Sequence, residues 1–134
     1  MRRALVLLGL VSLTPVAWGA EPVLGKASYY TTASCQREGT SGVWTANGER
    51  YDEQAFTAAL PSHQFNMLYR VCRTDHYPSR KVRARPCVIV RHNDYGPGRG
   101  PRRKGVVIDL TPRAFAALAP LAHGLVEVSV ERVR

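Results

Sequence analysis

Val88-Ile89-Val90-Arg91-His92-Asn93-Asp94-Tyr95-Gly96-Pro97-Gly98 is an apolar, strand-like run that breaks at an acid and passes at once into a Gly/Pro turn. It places the carboxylate of Asp94 at a strand end, facing a loop. Rigid scaffolds often present reactive side chains there, because the strand fixes the backbone while the loop leaves room for a substrate. Asn and Asp before Gly-Pro are also ordinary turn formers, and taken alone the stretch reads more readily as a structural turn. The rest of the chain has to decide between the two.

Working outward, the chain is mostly short strands. Lys26 to Thr31 is β-prone, and Phe56 to Leu60, Met67 to Val71 and Val106 to Leu110 are short apolar runs. Val126 to Val130 alternates cleanly between apolar and polar residues, which predicts a strand with one buried face. Thr111-Pro112 supplies a helix N-cap and a first-turn proline, so Arg113 to Ala119 reads as a short Ala-rich helix ended by Pro120. About six strands with one or two short helices suggest a small closed barrel, a shape that leaves no exposed sheet edge.

The N-terminus carries Met1-Arg2-Arg3, an apolar stretch from Ala4 to Val11, and small residues around Ala17-Trp18-Gly19-Ala20. That order of charge, short apolar centre and small residues predicts a secretory signal peptide over residues 1–20. The apolar centre is too short to span a bilayer as a mature helix. No Cys follows it, so no lipoprotein anchor is expected, and the reading is a soluble, exported protein, periplasmic or secreted. Residues 21–134 are then a single domain of about 114 residues, treated as a monomer.

The whole chain of 134 residues carries a formal charge of +9, and losing Arg2 and Arg3 leaves +7. In an intracellular protein such charge would raise nucleic acid as a partner. Export points instead to cell-wall polymers, acidic polysaccharide or anionic headgroups. The charge concentrates in Arg80 to Arg85 and Arg99 to Lys104, both expected to be loops, with Arg99 a candidate substrate contact on the rim beside Asp94. Export also predicts a disulfide among Cys35, Cys72 and Cys87. Hairpin pairing of the runs ending at Cys72 and beginning at Cys87 favours that pair, with Cys35 to Cys72 as the alternative. Neither Cys-x-x-Cys nor a helical His pair is present, so no metal or other cofactor is expected.

Five segments recur in a known order: Gly25-Lys-Ala-Ser-Tyr-Tyr30, Thr45-Ala-Asn-Gly-Glu-Arg-Tyr-Asp52, Phe56-Thr-Ala-Ala59, Val90-Arg-His-Asn-Asp-Tyr-Gly-Pro97 and Val107-Ile-Asp-Leu-Thr111. In this the chain resembles rare lipoprotein A-like proteins of the bacterial cell envelope. The resemblance covers roughly residues 25–132 and implies a six-stranded double-psi β-barrel, shared with barwin, expansin and certain lytic transglycosylases. For active members it implies cleavage of the β-1,4 bond between N-acetylmuramic acid and N-acetylglucosamine in peptidoglycan glycan strands stripped of stem peptides. The product is a 1,6-anhydro ring, formed when the muramic acid's own 6-hydroxyl takes the place of water. One carboxyl can serve as acid and then base, whereas ordinary glycoside hydrolases use two flanking carboxyls.

Asp94 matches the family's proposed catalytic acid, and Glu49 and Asp52 match acidic positions of its site motif. Glu49 is expected to stabilise positive charge or orient sugar, and Asp52 to support it. Tyr95 adjoins Asp94 and is expected to contact sugar, as is Trp44, while His92 is expected beside the site. Strand alternation puts Arg91 on the face opposite Asp94. Asp109 precedes a helix start and is read as a brace for backbone N–H groups there. Two departures stand out: Leu60 replaces the His of Thr-Ala-Ala-His, and the segment from Cys72 to Cys87 is longer and more basic than the usual hairpin. Leu60 favours the competing reading, a non-catalytic wall-binding or wall-loosening module.

Overall fold

The computed structural model describes residues 21–75 and 85–133. The predicted signal peptide and the basic run from Arg80 to Arg83 lie outside them. Six strands are present: β1 (Val23–Tyr29), β2 (Thr57–Leu60), β3 (Leu68–Arg73), β4 (Cys87–Tyr95), β5 (Val106–Leu110) and β6 (Val126–Arg132). They close into a barrel in the order β1-β5-β2-β4-β3-β6. The β1–β5 and β2–β4 pairs are parallel and the other four antiparallel. This is the six-stranded barrel that the resemblance implies.

The barrel interior is filled by the inward residues of each strand, among them Ala27, Ala58, Val71, Val90, Ile108 and Val128. β6 is alternately buried and open from Val126 to Val130, as its sequence pattern requires. Phe115 caps one end of the core and packs 5.0 Å from the ring of Tyr29. Cys72 and Cys87 face each other across β3 and β4 and form the disulfide. Cys35 is a free thiol.

Three short helices are described, one more than the expected upper bound. The predicted helix is α3 (Pro112–Ala116), capped by the Thr111 hydroxyl, which accepts from Ala114 N. It stops before Ala119. The two others are α1 (Thr32–Arg37) and α2 (Arg99–Arg103). β1 ends at Tyr29, two residues before the expected Thr31, and Thr31 and Ser34 form a reciprocal capping box that turns the chain out of the sheet into α1. α2 corrects the expectation that Arg99 to Lys104 is a loop. Neither helix buries a residue, so neither left an apolar periodicity to read.

β4 is also longer than its apolar run and carries Asp94 inside the sheet. Ala58 pairs with His92 and Ala59 with Asp94, so Asn93 is skipped as a bulge. A one-residue slip reverses which face the following side chains occupy. Arg91, opposite Thr57, and Asp94, opposite Ala59, therefore share a face, correcting the alternation expected from sequence.

Candidate active site

A groove of about 500 Å³ opens where β1, α1, the 40–46 loop, the end of β4 and the start of α2 meet. Asp94 sits in it with both carboxylate oxygens engaged. Oδ2 accepts from the Tyr30 hydroxyl at 2.9 Å. Oδ1 accepts from Ala46 N at 2.9 Å and from Tyr95 N at 2.8 Å. Tyr30 is fixed in turn by Tyr51, whose ring stacks 4.7 Å away and whose hydroxyl donates to Tyr30 O at 2.6 Å. Burial, with Asp94 beside it, pushes proton loss from Tyr30 far above the ordinary tyrosine range, so this hydroxyl stays a donor.

The loop that brings Ala46 to Asp94 is held by Glu49. Arg91 grips the Glu49 carboxylate with two parallel bonds, Nη1 to Oε1 at 2.6 Å and Nη2 to Oε2 at 2.8 Å. Asn47 and Asn93 donate to the same oxygens at 3.0 and 3.2 Å. Asn47 N also donates to Asn93 O at 3.1 Å. The Arg91 bonds, helped by those of Asn93 and Asn47, lower the Glu49 pKa to about 2. Glu49 does not line the groove: all its acceptor capacity is spent on the loop and on β4.

His92, expected beside the site, lies behind Asp94 and does not line the groove. It is fully buried, its ring nitrogens lying 3.1 Å from Gln64 O and 2.9 Å from Asp94 O, so it ties the 61–66 loop to the backbone of Asp94. Asp52 also lies away from the groove. Its side chain accepts from Gln54 N at 2.8 Å within a local turn. Arg99 is exposed on α2, where it, Arg102 and Arg103 surround a separate recess next to Gly98 and Pro101, which line the groove. Trp44 and Tyr95 do line it and are 62% and 46% exposed, as a sugar-stacking surface needs. Tyr95 is backed by His63, which stacks on it at 4.7 Å and 13°, a contact the sequence reading did not anticipate.

Asp109 is the other residue that reading placed elsewhere. It lines the groove, and its Oδ1 accepts from the Ser28 hydroxyl. Burial raises its pKa, opposed by the hydrogen bond from Ser28 and helped by Glu38 and Asp94, with a net upward shift. Leu60, where an imidazole was looked for, turns the other way into the core and into a second, apolar recess with Val106 and Val130. Among the described residues no three His, Cys, Asp or Glu side chains form a set able to hold a metal.

Comparison with known proteins agrees with this architecture. The family described as "Lytic transglycolase" matches residues 23–130. A Nostoc protein named "Probable endolytic peptidoglycan transglycosylase RlpA" is 36% identical over 107 residues, covering 80% of this chain and 24% of its own length. The "Endolytic peptidoglycan transglycosylase RlpA" of Neisseria meningitidis is 36% identical over 92 residues, covering 69% of this chain and 34% of its own. This chain thus spans about a quarter to a third of those relatives. Among solved structures, Streptomyces papain inhibitor superposes with a TM-score of 0.57 at 21% identity, covering 87% of this chain and 97% of that one, which is a likeness of fold. With its motifs in order, its barrel closed and nearly all of the described chain matched, the protein belongs to the rare lipoprotein A-like double-psi β-barrel family.

Proposed function

We propose that the chain is an exported, periplasmic or secreted enzyme that acts on peptidoglycan glycan strands as a lytic transglycosylase. It breaks the β-1,4 bond between N-acetylmuramic acid and N-acetylglucosamine and leaves a 1,6-anhydro end. The observation that carries this reading is the setting of Asp94, a groove carboxylate aimed by donors from three places in the chain, Tyr30, Ala46 and Tyr95. A reacting group has to be held to within a fraction of an ångström, and three converging donors do that.

The reaction needs a proton delivered to the leaving oxygen and a proton removed from the 6-hydroxyl that closes the ring. Carboxyls do both well when positioned. Asp94 is a groove carboxyl held by three donors for such work. Glu49 acts as a positioning residue through the loop that supplies Ala46 N–H, and Asp52 supports the turn that follows. Trp44 and Tyr95 carry the flat faces of the sugars, and Arg99 stands at the rim where a polymer carboxylate would pass.

A second reading, a wall-binding module without turnover, is favoured by the groove lining, which among the described residues holds no imidazole. One experiment separates the two. The protein and its Asp94→Asn variant are incubated with intact and with peptide-stripped peptidoglycan, and products are weighed by mass spectrometry. Anhydro products that vanish in Asp94→Asn support the enzyme. Retention on the glycan with no product from either protein supports the binding module.

A further inference from the structure

Ala59 of β2 pairs with Asp94 of β4 on one side and with Asp109 of β5 on the other. The three residues form one row across the sheet, acid, alanine, acid, and all three line the groove. Paired residues share a face, so both carboxyls rise from the same floor, with Cα atoms two strand spacings apart, about 10 Å. Ala59 puts only a methyl group between them. Gly96 completes the arrangement from above: a Cβ there would lie 3.3 Å from Ala59 Cβ and 3.3 Å from Asp109 Oδ2, so the backbone next to Asp94 reaches over to Asp109.

We propose that Asp109 is a second catalytic carboxyl, the acid that protonates the glycosidic oxygen, while Asp94 receives the proton of the 6-hydroxyl. This rests on the transglycosylase reading above. The bond from the muramic acid C1 to O4 of the next sugar breaks with the Asp109 proton passing to O4. The muramic acid O6 then bonds to C1 and gives its proton to Asp94. Asp109 ends as a carboxylate and Asp94 as an acid, and exchange with water restores both. No water is consumed and no oxidant or reductant is involved.

The groove's charge supports this division. The chain is strongly basic overall, yet among the described residues the groove lining holds Glu38, Asp94 and Asp109 and no Lys or Arg. Three carboxyls without a cation favour keeping a proton on one of them. Asp109 is the one that burial and these neighbours drive upward, against the lowering pull of the Ser28 hydrogen bond. The groups facing it are Ser28 from β1, Asp94 from β4, Glu38 after α1, and the hydroxyls of Tyr30 and Tyr51, which stay protonated. The geometry also suits the product. In a β-linked sugar the leaving O4 and the ring-closing O6 lie on the same face, so two carboxyls on one floor reach both. Hydrolases that admit water instead set their carboxyls on opposite sides of the bond.

The test compares the protein with Asp109→Asn and Asp94→Asn on two substrates. One is peptide-stripped glycan, and the other is a muramic acid aryl β-glycoside whose leaving group departs without a proton. Asp109→Asn is expected to lose about 10²- to 10⁴-fold on the glycan but far less on the aryl glycoside, and to lose the alkaline limb of kcat/KM. Asp94→Asn is expected to fail on both. Melting of Asp109→Asn at or above the wild-type temperature shows that the fold is intact. Equal loss on both substrates, or no loss, overturns the proposal while leaving the transglycosylase reading standing. An inactive wild type overturns both. Carbon NMR titration of the wild type adds a result independent of turnover: ionisation of Asp109 at an ordinary aspartate pH overturns the proposal by itself.

Discussion

Arg91 and Glu49 meet fork to fork, at 2.6 and 2.8 Å, on the same face of β4 as Asp94. The pair is less a source of stability than a clamp. Both side chains are more than a third exposed, so its net worth is on the order of 1 kcal/mol or less. Its effect is on position, since it fastens the loop whose Ala46 N–H reaches Asp94. Arg91→Lys keeps the charge but loses the planar fork. The expected outcome is a fall in kcat of about 10-fold with KM within about 2-fold, measured on peptide-stripped glycan. A KM effect alone would place Glu49 and Arg91 in sugar binding instead.

The same pair sets a pH dependence. Glu49 is lowered to about 2 in the fold, below an unfolded value of about 4.3. Its contribution is therefore fully present above that unfolded value and is lost as pH falls towards 2. Wild type is expected to melt slightly above Glu49→Gln at pH 7, with the gap closing between about pH 4.5 and 2. A gap unchanged at pH 2 would mean that Arg91 does not pair with the carboxylate in solution.

Tyr30 gives a cleaner probe of Asp94, because its ring and its hydroxyl do separate things. Tyr30→Phe keeps the stack on Tyr51 and removes one of the three donors to the carboxylate. The expected stability cost is about 1 kcal/mol, as for a single hydrogen bond, with activity reduced about 10- to 100-fold. Melting temperature and initial rates read the two effects apart. A variant as active as wild type would show that two backbone donors orient Asp94 well enough.

How much of this could be read from the chain depended on range. β6, the Thr111-Pro112 helix start and the Cys72–Cys87 pair were legible, because alternation, a capping residue and facing strand ends are local signals. The motif order led to the barrel and to Asp94. α1 and α2 were not legible, since helices of six and five residues with nothing buried have no period to detect. Asn93 was silent because a bulge is a property of the partner strand's register. Asp109 was misread for the same reason. Its neighbours Ser28, Ala59 and Gly96 come from three distant parts of the sequence, and local context showed only the helix start after it.

The disulfide closes a separation of 15 residues across directly paired positions of β3 and β4. Restricting the unfolded chain over such a loop is worth about 3 kcal/mol. The Cys72→Ala, Cys87→Ala double variant is expected to melt about 10–20 °C lower with unchanged activity per folded molecule, because neither cysteine lines the groove. Lost activity in the folded variant, measured well below its melting point, would tie the basic segment between the cysteines to the substrate.

Leu60 offers the sharpest test of whether a motif residue can be judged without its structure. Restoring the motif by Leu60→His would, on sequence grounds, repair the site. Ala59 and Leu60 are consecutive strand residues, however, so their side chains take opposite faces, and only Ala59 faces the groove. Leu60 is 9% exposed and packs in the core. An imidazole there replaces apolar packing and brings a polar nitrogen that must find a partner, a cost of about 1–3 kcal/mol. The expected outcome is a lower melting temperature and no gain in anhydro product. A gain would mean that position 60 does reach the groove when substrate is bound, and that the end of β2 moves to let it.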